Sequence, residues 1–269
     1  MIFTAIRLTL MTMGNPILFS LIFCTFFING LVVSADWSIL DLKRTNGVGD
    51  SLKKYCESWR MNVEMHNIRK FKVVPQECVP YIKKYMRSSQ YKADSERALE
   101  EVTLYLTSCC SLEGDGKDAW IFDVDDTLIS TIPYFNKHGF GGEKINSTSL
   151  EKWMRKSEAP ALKHTLELFH RIKDKGFKIF LISSRREPLR SSTVDNLIQV
   201  GYHGWSGLTL RGLDDEAMEV QNYKSRVRQL LVDEGYRIWG IIGDQWTSFH
   251  GHPRAKRAFK LPNSIYYVA

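Results

Sequence analysis

The chain of 269 residues is 43% hydrophobic and carries 37 basic against 30 acidic side chains, giving a formal net charge of +7. This length allows one catalytic domain with an additional segment, and the hydrophobic content is typical of a globular protein. Because basic residues alternate with acidic ones and no recognition motif accompanies the charge, we exclude a nucleic-acid-binding protein.

The first 35 residues contain a single charged side chain, Arg7, and two apolar runs, ILFSLIF and FFINGLVV. Small residues follow at Val33-Ser34-Ala35, which predicts a secretory signal peptide over residues 1–35, cleaved after Ala35. The alternative is an uncleaved membrane anchor. No second apolar stretch could span a bilayer. We therefore expect no membrane association after cleavage, and a location in the cell wall, outside the cell or in the vacuole.

Residues 36–112 are rich in helix formers and are predicted to form an N-terminal helical extension. Ser95 is expected to cap a helix there. Cysteines in this extension leave two arrangements open in an oxidising compartment. Either Cys56 and Cys78 both bridge to the adjacent Cys109 and Cys110, or a single bridge joins Cys56 to Cys78.

From residue 119 onward, apolar strands alternate with amphipathic helices, which predicts a parallel sheet covered on both faces. This α/β core is expected over residues 113–269. The predicted strands are 119–124, 178–183, 207–210, 237–243 and 258–261. The predicted helices between them are 161–175, 193–200 and 215–234.

Polar side chains follow the apolar strands where the carboxyl edge of the sheet is expected. They are Asp123, Asp125, Asp126 and Thr127, then Ser183, Ser184 and Arg185, then Lys224 on the long helix and Asp244 after the next strand. Taken singly, each is more often a turn, a helix cap or a solvated residue. Their joint occurrence at successive strand ends favours a catalytic site.

The chemistry of this set is that of phosphoryl transfer. Two carboxylates one residue apart repel, so a Mg²⁺ ion or a proton is needed beside them. Asp123 is then expected to attack phosphorus, while Asp125 acts as general acid and base. Ser183 and Lys224 are expected to bind the phosphoryl oxygens.

Four segments occur in the order and at the spacing of the haloacid dehalogenase motifs. IFDVDDTL resembles the first motif, IFLISSR the second, Lys224 the third and IIGDQW the fourth. Longer segments, such as FDVDDTLISTIPYF and KLPNSIYYVA, resemble the plant acid phosphatase and vegetative storage protein family over nearly all of the mature chain. The resemblance implies a Rossmann-like three-layer fold with a small cap insert.

The resemblance also implies the role of each residue. Asp123 would be the nucleophile, with Mg²⁺ held by Asp123, the backbone carbonyl of Asp125, and Asp244. Thr127, Ser184 and Arg185 would lie near the substrate, a small phosphate ester. Relatives also suggest a homodimer. The alternative within the same family is a storage protein with weak or no activity.

Residues 129–159 fall where this superfamily inserts its cap. Aromatic residues of the insert either pack the insert itself, which we favour, or shape a substrate pocket; they are Tyr134, Phe135, His138, Phe140 and Trp153. Asn146-Ser147-Thr148 predicts a glycosylation site at Asn146.

One position departs from the family pattern. Ser248 stands where the fourth motif commonly has a second acid, and the missing carboxylate is expected to weaken magnesium affinity.

Overall fold

The computed structural model describes residues 48–269. The predicted signal peptide and the first residues of the predicted extension lie outside the described residues. Within residues 48–269, no helix is long and apolar enough to cross a membrane.

In the described part of the chain, three α-helices precede the sheet: α1 (Val48–Glu64), α2 (Val79–Met86) and α3 (Ser89–Ser108). The cap predicted at Ser95 is wrong. Ser88 caps α3 by accepting a hydrogen bond from the Tyr91 amide at 3.3 Å, because an N-cap lies just outside the first turn. Ser95 lies inside the helix and donates to the Tyr91 carbonyl oxygen.

Among the four described cysteines, a single disulfide joins Cys56 on α1 to Cys78, which directly precedes α2. Cys109 and Cys110 are free thiols; Cys109 is exposed and Cys110 is buried. The second of the two predicted arrangements is therefore the one present, and the predicted bridges to Cys109 and Cys110 are wrong.

Five parallel strands form one sheet in the order β3-β2-β1-β4-β5. The strands are β1 (Asp118–Phe122), β2 (Lys178–Arg186), β3 (Gly207–Arg211), β4 (Arg237–Gly243) and β5 (Arg257–Lys260). All five residues of β1 are buried, as expected for the central strand of a covered parallel sheet. The predicted α/β fold class is confirmed, and each strand lies within three residues of its predicted bounds.

Helices connect the strands: α6 (Lys163–Asp174), α7 (Arg190–Gln199) and α8 (Val220–Asp233). The insert after β1 contains α4 (Ile132–Lys137) and α5 (Ser147–Met154). The strand order changes direction at β1, which has β2 on one side and β4 on the other. Such a point opens a crevice beyond the carboxyl ends of the strands.

A separate hydrophobic cluster joins the N-terminal helices to the insert. Cys56, Trp59 and Ile82 pack in one cluster with Phe135 and Phe140 of the insert. The N-terminal helices therefore support the insert from one side. As favoured from the sequence, buried aromatic residues of the insert serve mainly as packing.

Candidate active site

Asp123 follows β1 directly, and its position is fixed by backbone contacts. Its amide donates to the Ile242 carbonyl oxygen of β4 at 2.9 Å, and its own Oδ1 accepts from the Val124 amide at 2.8 Å. The residue is 5% exposed. The carboxylate is thus held at the edge of the sheet, with its second oxygen turned towards α8.

Lys224 on α8 reaches that second oxygen. Its ammonium donates to Asp123 Oδ2 and, at 2.9 Å, to the hydroxyl of Ser248. Ser248 in turn donates to Asp123 Oδ2 at 2.8 Å. All three side chains are buried, so they form a closed hydrogen-bonded triangle away from bulk solvent.

Asp125 is held by Arg185 from the end of β2. The guanidinium donates from Nη2 to Asp125 Oδ1 at 2.7 Å and from Nε to Oδ2 at 3.0 Å. Nη1 of Arg185 donates to Thr193 Oγ1 at 3.0 Å. A two-point contact of this kind fixes both the direction and the plane of a carboxylate.

Asp244, after β4, is 1% exposed and accepts hydrogen bonds only from neutral groups of the described residues. Its Oδ2 accepts from the side-chain amide of Asn263 at 2.7 Å and from that of Gln245 at 3.0 Å. It also accepts from the Tyr266 hydroxyl at 3.3 Å. Burial, together with the carboxylate of Asp123 and then that of Asp126, raises the pKa of Asp244 to about 7. A cation beside Asp244 would favour its ionised form.

Asp126 is fully buried and has a backbone φ of 47°, a left-handed conformation that Asp tolerates better than most residues. Its carboxylate accepts from the Thr131 amide at 2.8 Å and from the Tyr266 hydroxyl at 2.8 Å. Burial raises the pKa of Asp126 to about 6. Asp126 therefore shapes the turn after β1 instead of facing the cavity.

A cavity of about 110 Å³ lies at this edge of the sheet. Its lining includes five residues predicted for the site: Asp123, Asp125, Ser184, Lys224 and Asp244. These residues come from three strand ends and one helix and are up to 121 positions apart, since Asp123 and Asp244 differ by that number. The structure thus brings Asp123, Asp125, Lys224 and Asp244 to one place, together with Ser184.

The sequence profile described as HAD superfamily, subfamily IIIB (acid phosphatase), matches residues 43–269. The chain belongs to this acid phosphatase family. Acid phosphatase 1 of Solanum lycopersicum is 43% identical over 219 residues, which cover 81% of this chain and 85% of the relative. Vegetative storage protein 1 of Arabidopsis thaliana is 40% identical over 215 residues, covering 79% of this chain and 78% of the relative.

A further relative is the stem 28 kDa glycoprotein of Glycine max, 39% identical over 235 residues that cover 86% of this chain and 91% of the relative. Among solved structures, the class C acid phosphatase of Bacillus anthracis superposes with a TM-score of 0.60 at 19% identity, covering 71% of this chain and 86% of that one. The predicted resemblance, the fold and the assignment as an acid phosphatase are confirmed.

Three predicted residues of this acid phosphatase lie behind the cavity lining. Ser183 is fully buried, and its hydroxyl accepts the Arg185 amide at 3.1 Å, whereas Ser184 lines the cavity. Arg185 uses its guanidinium on Asp125 and Thr193. Thr127 lies 3.5 Å from Asp244 and connects the first and last motifs. Their assigned roles at substrate stay predictions.

The C-terminal segment contributes to the acid phosphatase site in a way that the sequence did not reveal. Asn263 and Tyr266 both donate to Asp244, and Tyr266 also donates to Asp126. Burial raises the pKa of Tyr266 well above its usual value, so its hydroxyl stays a donor. The available signal was the resemblance of the segment KLPNSIYYVA to the family, which covers Asn263 and Tyr266 but assigns them no contact.

Proposed function

We propose that this acid phosphatase hydrolyses phosphate monoesters through an aspartyl-phosphate on Asp123, with Mg²⁺ as its divalent cation. The observation that carries the proposal is the convergence of Asp123, Asp125, Lys224 and Asp244 on one cavity. Of these three aspartates, Asp123 is the one that is hydrogen-bonded to Lys224.

The donor set fits a hard divalent cation. Asp123 and Asp244 offer carboxylate oxygens, and Asp125 offers its backbone carbonyl, which are the oxygen ligands that Mg²⁺ prefers. Within residues 48–269, no group of three or more His, Cys, Asp or Glu side chains is arranged to hold a metal. The proposed site needs only two such side chains.

When bound, Mg²⁺ would neutralise charge on the phosphoryl group and keep Asp123 and Asp244 ionised. Lys224 and Ser248 hold Asp123 Oδ2 in place, which leaves Oδ1 with a single backbone donor. Asp123 attacks phosphorus and the ester oxygen leaves. Asp125, oriented by Arg185, gives a proton to that oxygen from its protonated form, and the resulting carboxylate then takes a proton from the water that hydrolyses the intermediate.

The first test is the Asp123→Asn variant against para-nitrophenyl phosphate with Mg²⁺. We expect kcat to fall at least a thousandfold, because Asn cannot form the acyl phosphate. Asp195→Asn, a matched change at an exposed residue of α7, is expected to keep wild-type activity. Equal rates for wild type and Asp123→Asn would contradict the mechanism, and no turnover by either would favour the storage function.

The proposal places the protein in the secretory pathway, ending in the vacuole or the cell wall. The predicted signal peptide and the Cys56–Cys78 bridge support this route. Asn146 is exposed, and its Oδ1 accepts the Ser149 amide at 3.0 Å, so its nitrogen stays free for a glycan. The homodimer stays a prediction.

A further inference from the structure

The cavity that contains the catalytic groups is also lined by six apolar or aromatic side chains: Phe135, Ile145, Leu150, Met154, Tyr266 and Val268. The first four come from the insert and the last two from the C-terminal segment. Because the side chains of this apolar wall share one cavity with Asp123, they border the space open to the leaving group of a phosphate ester bound there.

Part of this wall is rigid before any ligand binds. The rings of Phe135 and Tyr266 stack with centroids 5.3 Å apart and planes 20° apart. Phe135 is 2% exposed, and the Tyr266 hydroxyl is fixed by Asp126 at 2.8 Å. A preformed apolar surface binds an apolar group without the cost of ordering side chains.

The charged side chains that line the cavity disfavour a leaving group with a negative charge of its own. Among the described residues that line the cavity, Lys224 is the one basic side chain, and its ammonium is hydrogen-bonded to Asp123 and Ser248. Three aspartates line the same cavity. A leaving group with its own negative charge would be desolvated here without a cationic partner, which is unfavourable.

We infer that this pocket selects phosphate monoesters whose leaving group is small, apolar and uncharged, over sugar phosphates, nucleotides and polyphosphates. The inference rests on the proposed phosphatase function and names its substrate class. Ile145 is the specificity-determining residue most open to change, because it is 42% exposed and lines the cavity.

The test is an alkyl series with leaving groups of similar acidity: ethyl, n-propyl and n-butyl phosphate. We expect kcat/KM to rise about threefold to fourfold per methylene while the pocket fills. The charged comparison is 4-(phosphonooxy)butanoate, which has the same chain length as n-butyl phosphate and ends in a carboxylate. We expect its kcat/KM to be at least tenfold lower than that of n-butyl phosphate.

The Ile145→Lys variant places a cation near the carboxylate end of the charged ester. We expect it to reduce the ratio of kcat/KM for n-butyl phosphate to that for the charged ester about fivefold. Ile198→Lys on α7, where Ile198 is 57% exposed and away from the cavity, is the matched control and should leave the ratio unchanged. A flat alkyl series, or equal effects of the two lysines, would overturn the inference.

Binding of methylphosphonate and n-butylphosphonate by calorimetry separates this inference from the proposed function, because it needs no turnover. Tighter binding of the butyl compound without any hydrolysis of esters would support the pocket and refute the phosphatase mechanism. Hydrolysis of the esters with equal affinities for the two phosphonates would support the phosphatase mechanism and refute the apolar pocket.

Discussion

The resemblance to the fourth haloacid dehalogenase motif leads us to expect an acid at position 248, and the structure shows what Ser248 does instead. Its hydroxyl accepts from Lys224 at 2.9 Å and donates to Asp123 at 2.8 Å. A carboxylate at this position would compete with Asp123 for the lysine. The serine therefore leaves the charge of Lys224 to the nucleophile, at the expense of negative charge near the metal position.

We predict that Ser248→Asp binds Mg²⁺ about tenfold more tightly than wild type, because it restores an outer carboxylate. The half-saturating Mg²⁺ concentration for activity and direct calorimetric binding both measure this change. Ser248→Asn is the matched control, since it has nearly the same shape without the charge. An identical gain in affinity for both variants would show that charge is not the cause.

The strands and most helices could be predicted from the sequence, whereas the exact start of one helix could not. Hydrophobic runs predicted all five strands, because a strand buried on both faces needs continuous apolar sequence. Asp123 and Asp244 could be placed together because the ends of parallel strands meet at one edge. The helix of residues 215–234 was predicted too long: a 3₁₀ turn at Leu213–Asp215 precedes it, and α8 begins at Val220.

The C-terminal segment could not be placed from sequence because it has no regular pattern. Its position depends on long-range contacts: Ile265 packs in the cluster with the N-terminal helices, the Val268 amide donates to Gln245 Oε1 at 3.1 Å, and the Ala269 carbonyl oxygen accepts from the first amide of α8 at 2.9 Å. Which of Ser183 and Ser184 lines the cavity could not be decided from sequence, because adjacent strand residues point to opposite faces and register decides which one meets the cavity.

The Cys56–Cys78 bridge stabilises the helices that support the insert. It closes a loop of 22 residues, which in the chain-entropy view stabilises the fold by about 3 kcal/mol. We predict that the double variant Cys56→Ala with Cys78→Ala loses about that much free energy of unfolding, measured by urea denaturation. Catalysis is expected to persist at low temperature, because neither cysteine lines the cavity.

Cys109→Ala is the control for this prediction. Cys109 is exposed and forms no bridge. The free energy of unfolding of the Cys109→Ala variant should therefore stay within about 0.5 kcal/mol of wild type. A comparable loss in both proteins would show that removing a thiol, and not the crosslink, is responsible.

At the scale of the whole molecule, buried ionisable groups make stability depend on pH in two opposing ways. Asp126 and Asp244 have folded pKa values of about 6 and about 7, above the usual carboxyl value of 3.8. The folded state therefore retains protons that the unfolded chain releases, and these residues lower stability as pH rises from about 4 to 7. Burial lowers the pKa of His66 to about 4, so His66 destabilises the fold as pH falls from 6.5 to 4.

Comparing stability with and without Mg²⁺ at each pH cancels the contribution of His66 and isolates the active site. A cation at Asp244 must displace a proton below pH 7 and meets an ionised carboxylate above it. We therefore predict that saturating Mg²⁺ raises Tm by roughly 5–10 °C at pH 8 and by much less at pH 5, measured by thermal denaturation at pH 5, 6, 7 and 8. Asp244→Asn should lose the increment at every pH, whereas an equal increment at all four pH values in wild type would contradict a cation bound at Asp244.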